Sequence, residues 1–123
     1  DEAHGAATPT TEAARAATYA SACHVIRREL GDPDLTPADV ARLVGVSPRT
    51  LARAFAAHGD AVRRRLLDER VREVARLLAA PEAAHRSITD IAFRCGFGDL
   101  SHFGRAFAER MHATPSAWRR ARS

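Results

Sequence analysis

Arg49 and Arg53 stand four residues apart in the run S-P-R-T-L-A-R-A-F, and Arg105 holds the matching place in S-H-F-G-R-A-F. Positions four apart on a helix share a face, and the planar fork of arginine can pair bidentately with the O6 and N7 edge of guanine. Leu51 and Phe55 take the opposite, apolar side, so Arg49 and Arg53 point outward near a helix start. Arg49, Arg53 and Arg105 are therefore candidate readers of bases, joined by Ser101 and His102, whose side chains can donate to a base or a phosphate. Leu100 beside them is apolar and could touch a thymine methyl. Ser47 and Thr50, at a helix N-terminus, and Arg119 and Arg120, near the chain end, are candidate contacts to a phosphate backbone. The chain has no asparagine or glutamine, so the side-chain amide that selects adenine is absent and the second half-site is expected to be read more weakly or by shape.

Other chemistry finds little support. His4, His24, His58, His85, His102 and His112 are scattered, none lies four residues from another histidine or a cysteine, and no Ser-His-Asp or paired-carboxylate set can be argued from spacing. Cys23 and Cys95 lie 72 positions apart with no C-x-x-C pattern, so neither a zinc site nor a disulfide framework is expected, and both read as small buried hydrophobes. An enzyme is not expected, and no cofactor or metal is called for.

With 123 residues, 46% of them apolar and 28% charged, the chain has room for one globular domain and none for a two-domain enzyme. All 19 basic residues are arginine. Residues 1–39 carry three arginines against seven carboxylates, and residues 40–123 carry sixteen against eight, so the later part is the basic one. A basic domain points to a polyanionic partner, with nucleic acid first. No stretch approaches the 18 apolar residues of a membrane span, and the N-terminus has neither a basic nor an apolar leader region, so no membrane partner and a cytoplasmic location are expected. The chain opens on Asp1 rather than methionine, the expectation for a piece of a longer protein.

Apolar residues recur at helical spacing and nowhere alternate with period two, which predicts an all-α fold of seven helices: two helix-turn-helix subdomains joined by a long linker helix. The expected division is a flexible tail or interdomain linker over 1–12, a first subdomain over 13–59, a linker helix over 60–79 and a second subdomain over 80–123. The first helix runs from about Thr11 to Leu30 with Tyr19, Cys23, Ile26 and Leu30 as its apolar stripe. The second starts at a Thr36 cap, Pro37 and Asp39, buries Val40, Leu43 and Val44, and stops at Gly45. The third starts at Ser47 and Pro48. Leu67, Val71, Val74 and Leu78 form the stripe of the linker helix, closed by Pro81. Ser87 and Asp90 start the fifth helix, Asp99 the sixth, with Phe103, Phe107 and Met111 inward, and Thr114-Pro115 the seventh, with Trp118. The arginines of the linker helix, Arg63, Arg64, Arg65, Arg72 and Arg76, read either as phosphate contacts or as a solvated face paired with glutamates.

The two halves repeat each other. V-A-R-L-V-G-V-S-P-R-T-L-A-R-A-F from Val40 aligns with I-A-F-R-C-G-F-G-D-L-S-H-F-G-R-A-F from Ile91, with Ala41 on Ala92, Gly45 on Gly96, and Leu51, Arg53 and Phe55 on Phe103, Arg105 and Phe107 after one extra residue. Small alanine lets two helices approach, glycine permits the positive φ of a tight turn, and the large apolar pair anchors the second helix. That is a helix-turn-helix, whose second helix lies in the major groove. A linker of some twenty helical residues spans roughly 30 Å, close to the ~34 Å of one duplex turn, so one chain could address two successive major grooves of an asymmetric site as a monomer.

The stretch S-I-T-D-I-A-F-R-C-G-F-G-D-L-S-H-F-G-R-A-F, followed by A-T-P-S-A-W-R, resembles the signature of the AraC/XylS family of bacterial transcription regulators, and the resemblance covers about residues 16–122. Gly59, Leu66 and Arg70 also fit that family's linker region, and Arg70 matches a structural position. The resemblance implies a double-stranded DNA-binding module with two helix-turn-helix units. It also implies an activator that contacts RNA polymerase, and an effector bound by a separate domain outside these residues. Val62, Arg65 and Val74 depart from the family's aromatic, proline or small residues, which predicts atypical packing at the linker's entry and seam. His112 replaces a common glycine, and Gly104 inside the sixth helix should cost about 0.5 to 1 kcal/mol against alanine. The competing reading is a helical protein-interaction module whose basic face binds an acidic protein.

Overall fold

The computed structural model describes residues 11–123. The first ten residues of the tail expected over 1–12 lie outside the described residues, and Thr11 and Glu12 already belong to a helix. Among the described residues the elements are α1 (Thr11–Glu29), α2 (Pro37–Val44), α3 (Pro48–Ala57), α4 (Val62–Ala79), a 3-10 turn (Pro81–Ala83), α5 (Ile88–Arg94), α6 (Leu100–Met111) and α7 (Pro115–Arg122), with no strand. The all-α, seven-helix expectation holds. The 3-10 turn has no counterpart in the apolar periodicity.

The helix starts follow from local chemistry. Thr36 Oγ1 accepts from the Asp39 N–H and the Asp39 carboxylate accepts from the Thr36 N–H, a complete capping box. Ser47, Ser87, Asp99 and Thr114 each cap α3, α5, α6 and α7 with a side-chain oxygen, and proline occupies the first turn of α2, α3 and α7. At the end of α6, His112 adopts the left-handed conformation (φ 56°) and its N–H donates to the Ala108 carbonyl, a role usually given to glycine.

Contacts gather the chain into two compact units. One holds residues 11–26 and Thr36–Arg65, the other Arg27–Leu35 and Leu66–Ser123. These boundaries differ from the 13–59, 60–79 and 80–123 division read from sequence. The linker helix is not a body of its own, and the segment after Ile26 joins the second unit. Arg70 explains the second point, because its Nε donates to the Leu30 carbonyl (2.9 Å) and an Nη to the Asp32 carbonyl (2.6 Å), while Arg27 lies 3.9 Å from the buried Glu69 carboxylate. Burial pulls the Arg70 guanidinium below its ordinary pKa and the Asp32 charge works the other way. The structural role implied for Arg70 is what the geometry shows.

The core of the first unit is Ala22, Val25, Ile26, Val40, Ala41, Leu51, Ala54 and Phe55, with Cys23 and Val62 at its margin. In the second unit Val71, Val74, Leu78, Ile91, Ala92, Cys95, Phe97, Phe103, Ala106 and Phe107 pack together. Both cysteines are buried, as expected, and burial pushes the Cys95 thiol up to about 12, so it stays a thiol. Of the expected stripe residues Leu43 leaves the core, and Tyr19, Leu30, Val44, Leu67 and Met111 are only half-buried. Leu43 is 43% exposed, because α2 is only eight residues long and turns Val40 and Ala41 inward, and Met111 is half-buried at the last turn of α6. Val74 is fully buried, while Val62, almost fully buried, borders an apolar recess of about 410 Å³ with Pro37, Ala52 and Phe55 at the linker's entry.

Arg65, where an aromatic side chain is the family expectation, is accommodated by a polar cluster. Its Nε donates to Asp60 Oδ2 (2.9 Å) and an Nη to the Tyr19 hydroxyl (3.2 Å), which in turn donates to the same Asp60 oxygen (2.9 Å). Tyr19 also stacks on His58 (centroids 4.0 Å apart) and meets Phe55 edge-on. Burial and the bond to Asp60 raise the Tyr19 hydroxyl to about 12. Burial opposes the charged form of Asp60, but hydrogen bonds from the Ala61 N–H, Tyr19 and Arg65 outweigh it and hold the carboxyl below its usual range. A depressed folded-state pKa adds stability above the unfolded carboxyl value of about 4 and loses it as pH falls through the folded one. Thermal melts between pH 6 and pH 2.5 are therefore expected to show a shallower acid-side loss in Asp60→Asn than in the parent. Parallel profiles would remove Asp60 from the acid response.

Candidate nucleic-acid interface

The repeat seen in the sequence is a repeat of hydrogen bonds. In the first turn the Val46 N–H donates to the Ala41 carbonyl (3.0 Å), and in the second the Phe97 N–H donates to the Ala92 carbonyl (3.1 Å). Gly45 and Gly96 both take positive φ, 91° and 94°. After this point the second copy carries one more residue, Gly98, so Ser47 caps α3 where Asp99 caps α6. The anchors coincide as well: Val40 with Ile91, Ala41 with Ala92, Leu51 with Phe103, Ala54 with Ala106 and Phe55 with Phe107 are all buried. Each unit thus presents the N-terminal half of one amphipathic helix outward, α3 in the first and α6 in the second.

On α3, Arg49 and Arg53 are exposed and neither makes an ion pair or hydrogen bond through its side chain with a described residue. Unpaired guanidinium groups at a helix start are set beside the positive end of the helix dipole, so the face is a concentrated positive field. Ser47 Oγ accepts from the Thr50 N–H (3.1 Å) and donates to Thr50 Oγ1 (3.0 Å), which leaves the Thr50 hydroxyl proton available to an outside acceptor. On α6, Leu100, Ser101, His102 and Arg105 are exposed, with Leu100 at 45%. Asp99 accepts from the Ser101 and His102 N–H groups, so that carboxylate is spent on the cap. A Cβ added at Gly104 meets nothing within 4 Å, so packing does not require glycine there.

The arginines outside the two faces sort differently. Arg64 and Arg65 bind Gly59 and Asp60, while Arg72 and Arg76 pair with Glu69 and Glu73. The glutamate-paired reading fits Arg72 and Arg76, whereas Arg64 and Arg65 close on Gly59 and Asp60 at the start of α4. Arg63 is exposed and makes no such pair among the described residues. Arg119 points inward, and its two Nη atoms donate to the Arg86 and Ala83 carbonyls (2.7 and 2.9 Å), holding the segment around the 3-10 turn. Arg122 lies over the Trp118 ring, 3.3 Å from its centroid, and Arg120 is left exposed. The Trp118 indole N–H donates to the Ala75 carbonyl (3.1 Å), fixing α7 to α4. Sequence reasoning missed the donors of Arg119 because their acceptors are backbone carbonyls more than thirty residues away.

Among the described residues no group of three histidine, cysteine or acidic side chains could hold a metal ion, and no helix is long and apolar enough to cross a membrane.

Comparison with known proteins agrees with this geometry. Residues 40–121 match a family model described as a helix-turn-helix domain. Over 96 residues, 78% of this chain, the sequence is 33% identical to the transcriptional activator NphR of a Rhodococcus species. Over 95 residues, 77% of the chain, it is 33% identical to the transcriptional activator RhrA of Rhizobium meliloti strain 1021. The matched segments are 28% and 30% of those relatives' own lengths, so the chain spans about a third of the curated relatives it matches. The crystal structure of a transcriptional regulator with an AraC-type DNA-binding domain from Chromobacterium violaceum superposes with a TM-score of 0.77 at 28% identity, covering 86% of this chain and 92% of that one. Members of this family act by binding DNA and not by catalysing a reaction. With two matched helix-turn-helix units, each offering one outward helix start, the chain belongs to the AraC/XylS family of transcription regulators, as a DNA-binding helix-turn-helix domain.

Proposed function

We propose that this domain binds an asymmetric promoter site as a monomer, with α3 and α6 entering successive major grooves. The observation that carries the reading is the pairing of two hydrogen-bonded copies of one motif with unlike outward faces, Arg49 and Arg53 on one and Ser101, His102 and Arg105 on the other. Arg49 and Arg53 read guanines in the first half-site, and Ser47, Thr50 and Arg120 contact phosphates. Arg105 is the main reader of the second half, with Leu100 against a thymine methyl. Arg119 serves that half-site through the fold rather than by direct contact. In the full regulator the outcome is activation through RNA polymerase under control of an effector-binding domain. The names of the relatives and their threefold greater length support this.

The test is selection from a random duplex library with the purified domain, followed by titration of the selected and a scrambled duplex. Arg49→Ala and Arg53→Ala are each expected to narrow the gap between the two duplexes by about 1 to 3 kcal/mol, because a bidentate guanine contact is lost. Arg120→Ala is expected to weaken both duplexes alike. If Arg49→Ala weakens both alike instead, Arg49 is no base reader. If the parent binds both duplexes equally, the domain does not read sequence.

A further inference from the structure

Next to α3 lies a recess of about 280 Å³ built by two helices of the first unit, with Thr50 and Arg53 on the α3 side and Arg15 and Thr18 on the α1 side. Two arginines and three threonines, Thr11 among them, therefore border one concavity, and among the described residues no carboxylate lines it. Arg15 and Arg53 are both exposed and neither makes an ion pair with a described residue. The acid closest in sequence, Glu12, lines a second recess with Ala57 and His58, which Arg15 also borders. Two like charges at one concave surface repel each other in the free protein, and an anion seated there relieves the repulsion. The hydroxyls of Thr18 and Thr50 can donate to the same anion.

Arg53 fixes which anion this is. It belongs to the face that reads bases, so a groove entered by α3 brings its wall of sugar and phosphate to the side of that helix, where α1 stands. We propose that Arg15 and Thr18 bind a backbone phosphate flanking the first half-site, so that α1 grips the groove wall while α3 reads its floor. The proposal rests on the DNA reading above. It extends the interface to a helix that lies before both helix-turn-helix units and outside the residues matched by the family model.

Arg15→Ala, Arg53→Ala and the parent are titrated on the selected and the scrambled duplex across a fourfold range of salt. Each phosphate contact contributes about 0.9 to the slope of log affinity against log salt, or about 3.5-fold over that range. Arg15→Ala is expected to weaken both duplexes by the same factor and to flatten the slope by one contact, and Arg15→Lys to restore most of the loss. Neutralising single phosphates as methylphosphonates should reveal one flanking position at which the parent loses affinity and Arg15→Ala does not. Arg15 is exposed on a helix, so alanine leaves the fold intact, which the melting curve checks. An unchanged slope for Arg15→Ala, with Arg53→Ala still losing discrimination, overturns the α1 contact and leaves the base-reading proposal standing. A parent that binds both duplexes equally overturns both.

Discussion

Gly96→Ala is expected to destabilise the second unit by about 3 kcal/mol or more, whereas Gly45→Ala, at the matching place in the first, is expected to cost about 1 to 2 kcal/mol. Both glycines hold a positive φ, so both variants carry the strain of a left-handed backbone. The surroundings differ. A Cβ on Gly45 meets nothing within 4 Å, while one on Gly96 would stand 2.1 Å from the Leu30 carbonyl oxygen and 2.6 Å from Arg70 Nε. Neither atom can retreat alone, because Arg70 Nε holds that same carbonyl at 2.9 Å and another nitrogen of Arg70 holds Asp32. Relieving the clash therefore breaks the two bonds that join the Leu30–Asp32 backbone to α4. Urea unfolding followed by circular dichroism would measure both losses. Equal losses in the two variants would mean that the Arg70 bridge yields freely and packing around Gly96 is softer than the geometry states.

The second large effect is expected at Phe107. Its side chain is fully buried, 5.8 Å from the Phe103 ring and 6.1 Å from that of Trp118, centroid to centroid. Truncation to alanine removes the packing of a whole ring and leaves a cavity walled by stiff aromatic and β-branched side chains, at a cost of about 3 to 5 kcal/mol. Typical domains have only about 5 to 15 kcal/mol in total, so Phe107→Ala is expected to be marginally folded at 37 °C. Phe107→Leu keeps most of the volume and should lose about 1.5 kcal/mol or less. Trp118 is the one tryptophan of the chain and packs edge-on against Phe107, so its fluorescence reports this unit directly. Emission shifted to the red in Phe107→Ala at a temperature where the parent is unshifted is the expected result. An unshifted spectrum with an unchanged melting temperature would place the stabilising contacts elsewhere.

Most of the helices are legible in the chain because their starts and stops are local chemistry. Thr36, Ser47, Ser87, Asp99 and Thr114 cap where capping residues precede apolar periodicity, and the repeat shows itself through Ala41 and Ala92, Gly45 and Gly96. What is not legible depends on partners distant in sequence. Leu43 fits a helical stripe, yet whether a stripe residue is covered depends on the element opposite, and it is exposed. The 3-10 turn at Pro81–Ala83 has no periodicity to detect. Chain order places residues 27–35 in the first subdomain, but the Arg70 and Arg27 contacts attach them to the second unit. The same limit applies to the interface. Arg49, Arg53 and Arg105 are legible as outward arginines, whereas the internal role of Arg119 and the neighbourhood of Arg15 and Arg53 arise only once the chain is folded.

The outward faces of α3 and α6 draw all of their lasting positive charge from guanidinium groups, since the chain holds no lysine. A surface without lysine amines offers nothing to acetyl, succinyl or ubiquitin transfer, the modifications that tune many basic interfaces by erasing charge. The positive charge that these helices offer is thus closed to the acyl transfers that neutralise lysine. Grading the response of such a module falls to routes other than lysine acylation, such as how much of it there is, the salt and ligands around it, or the DNA.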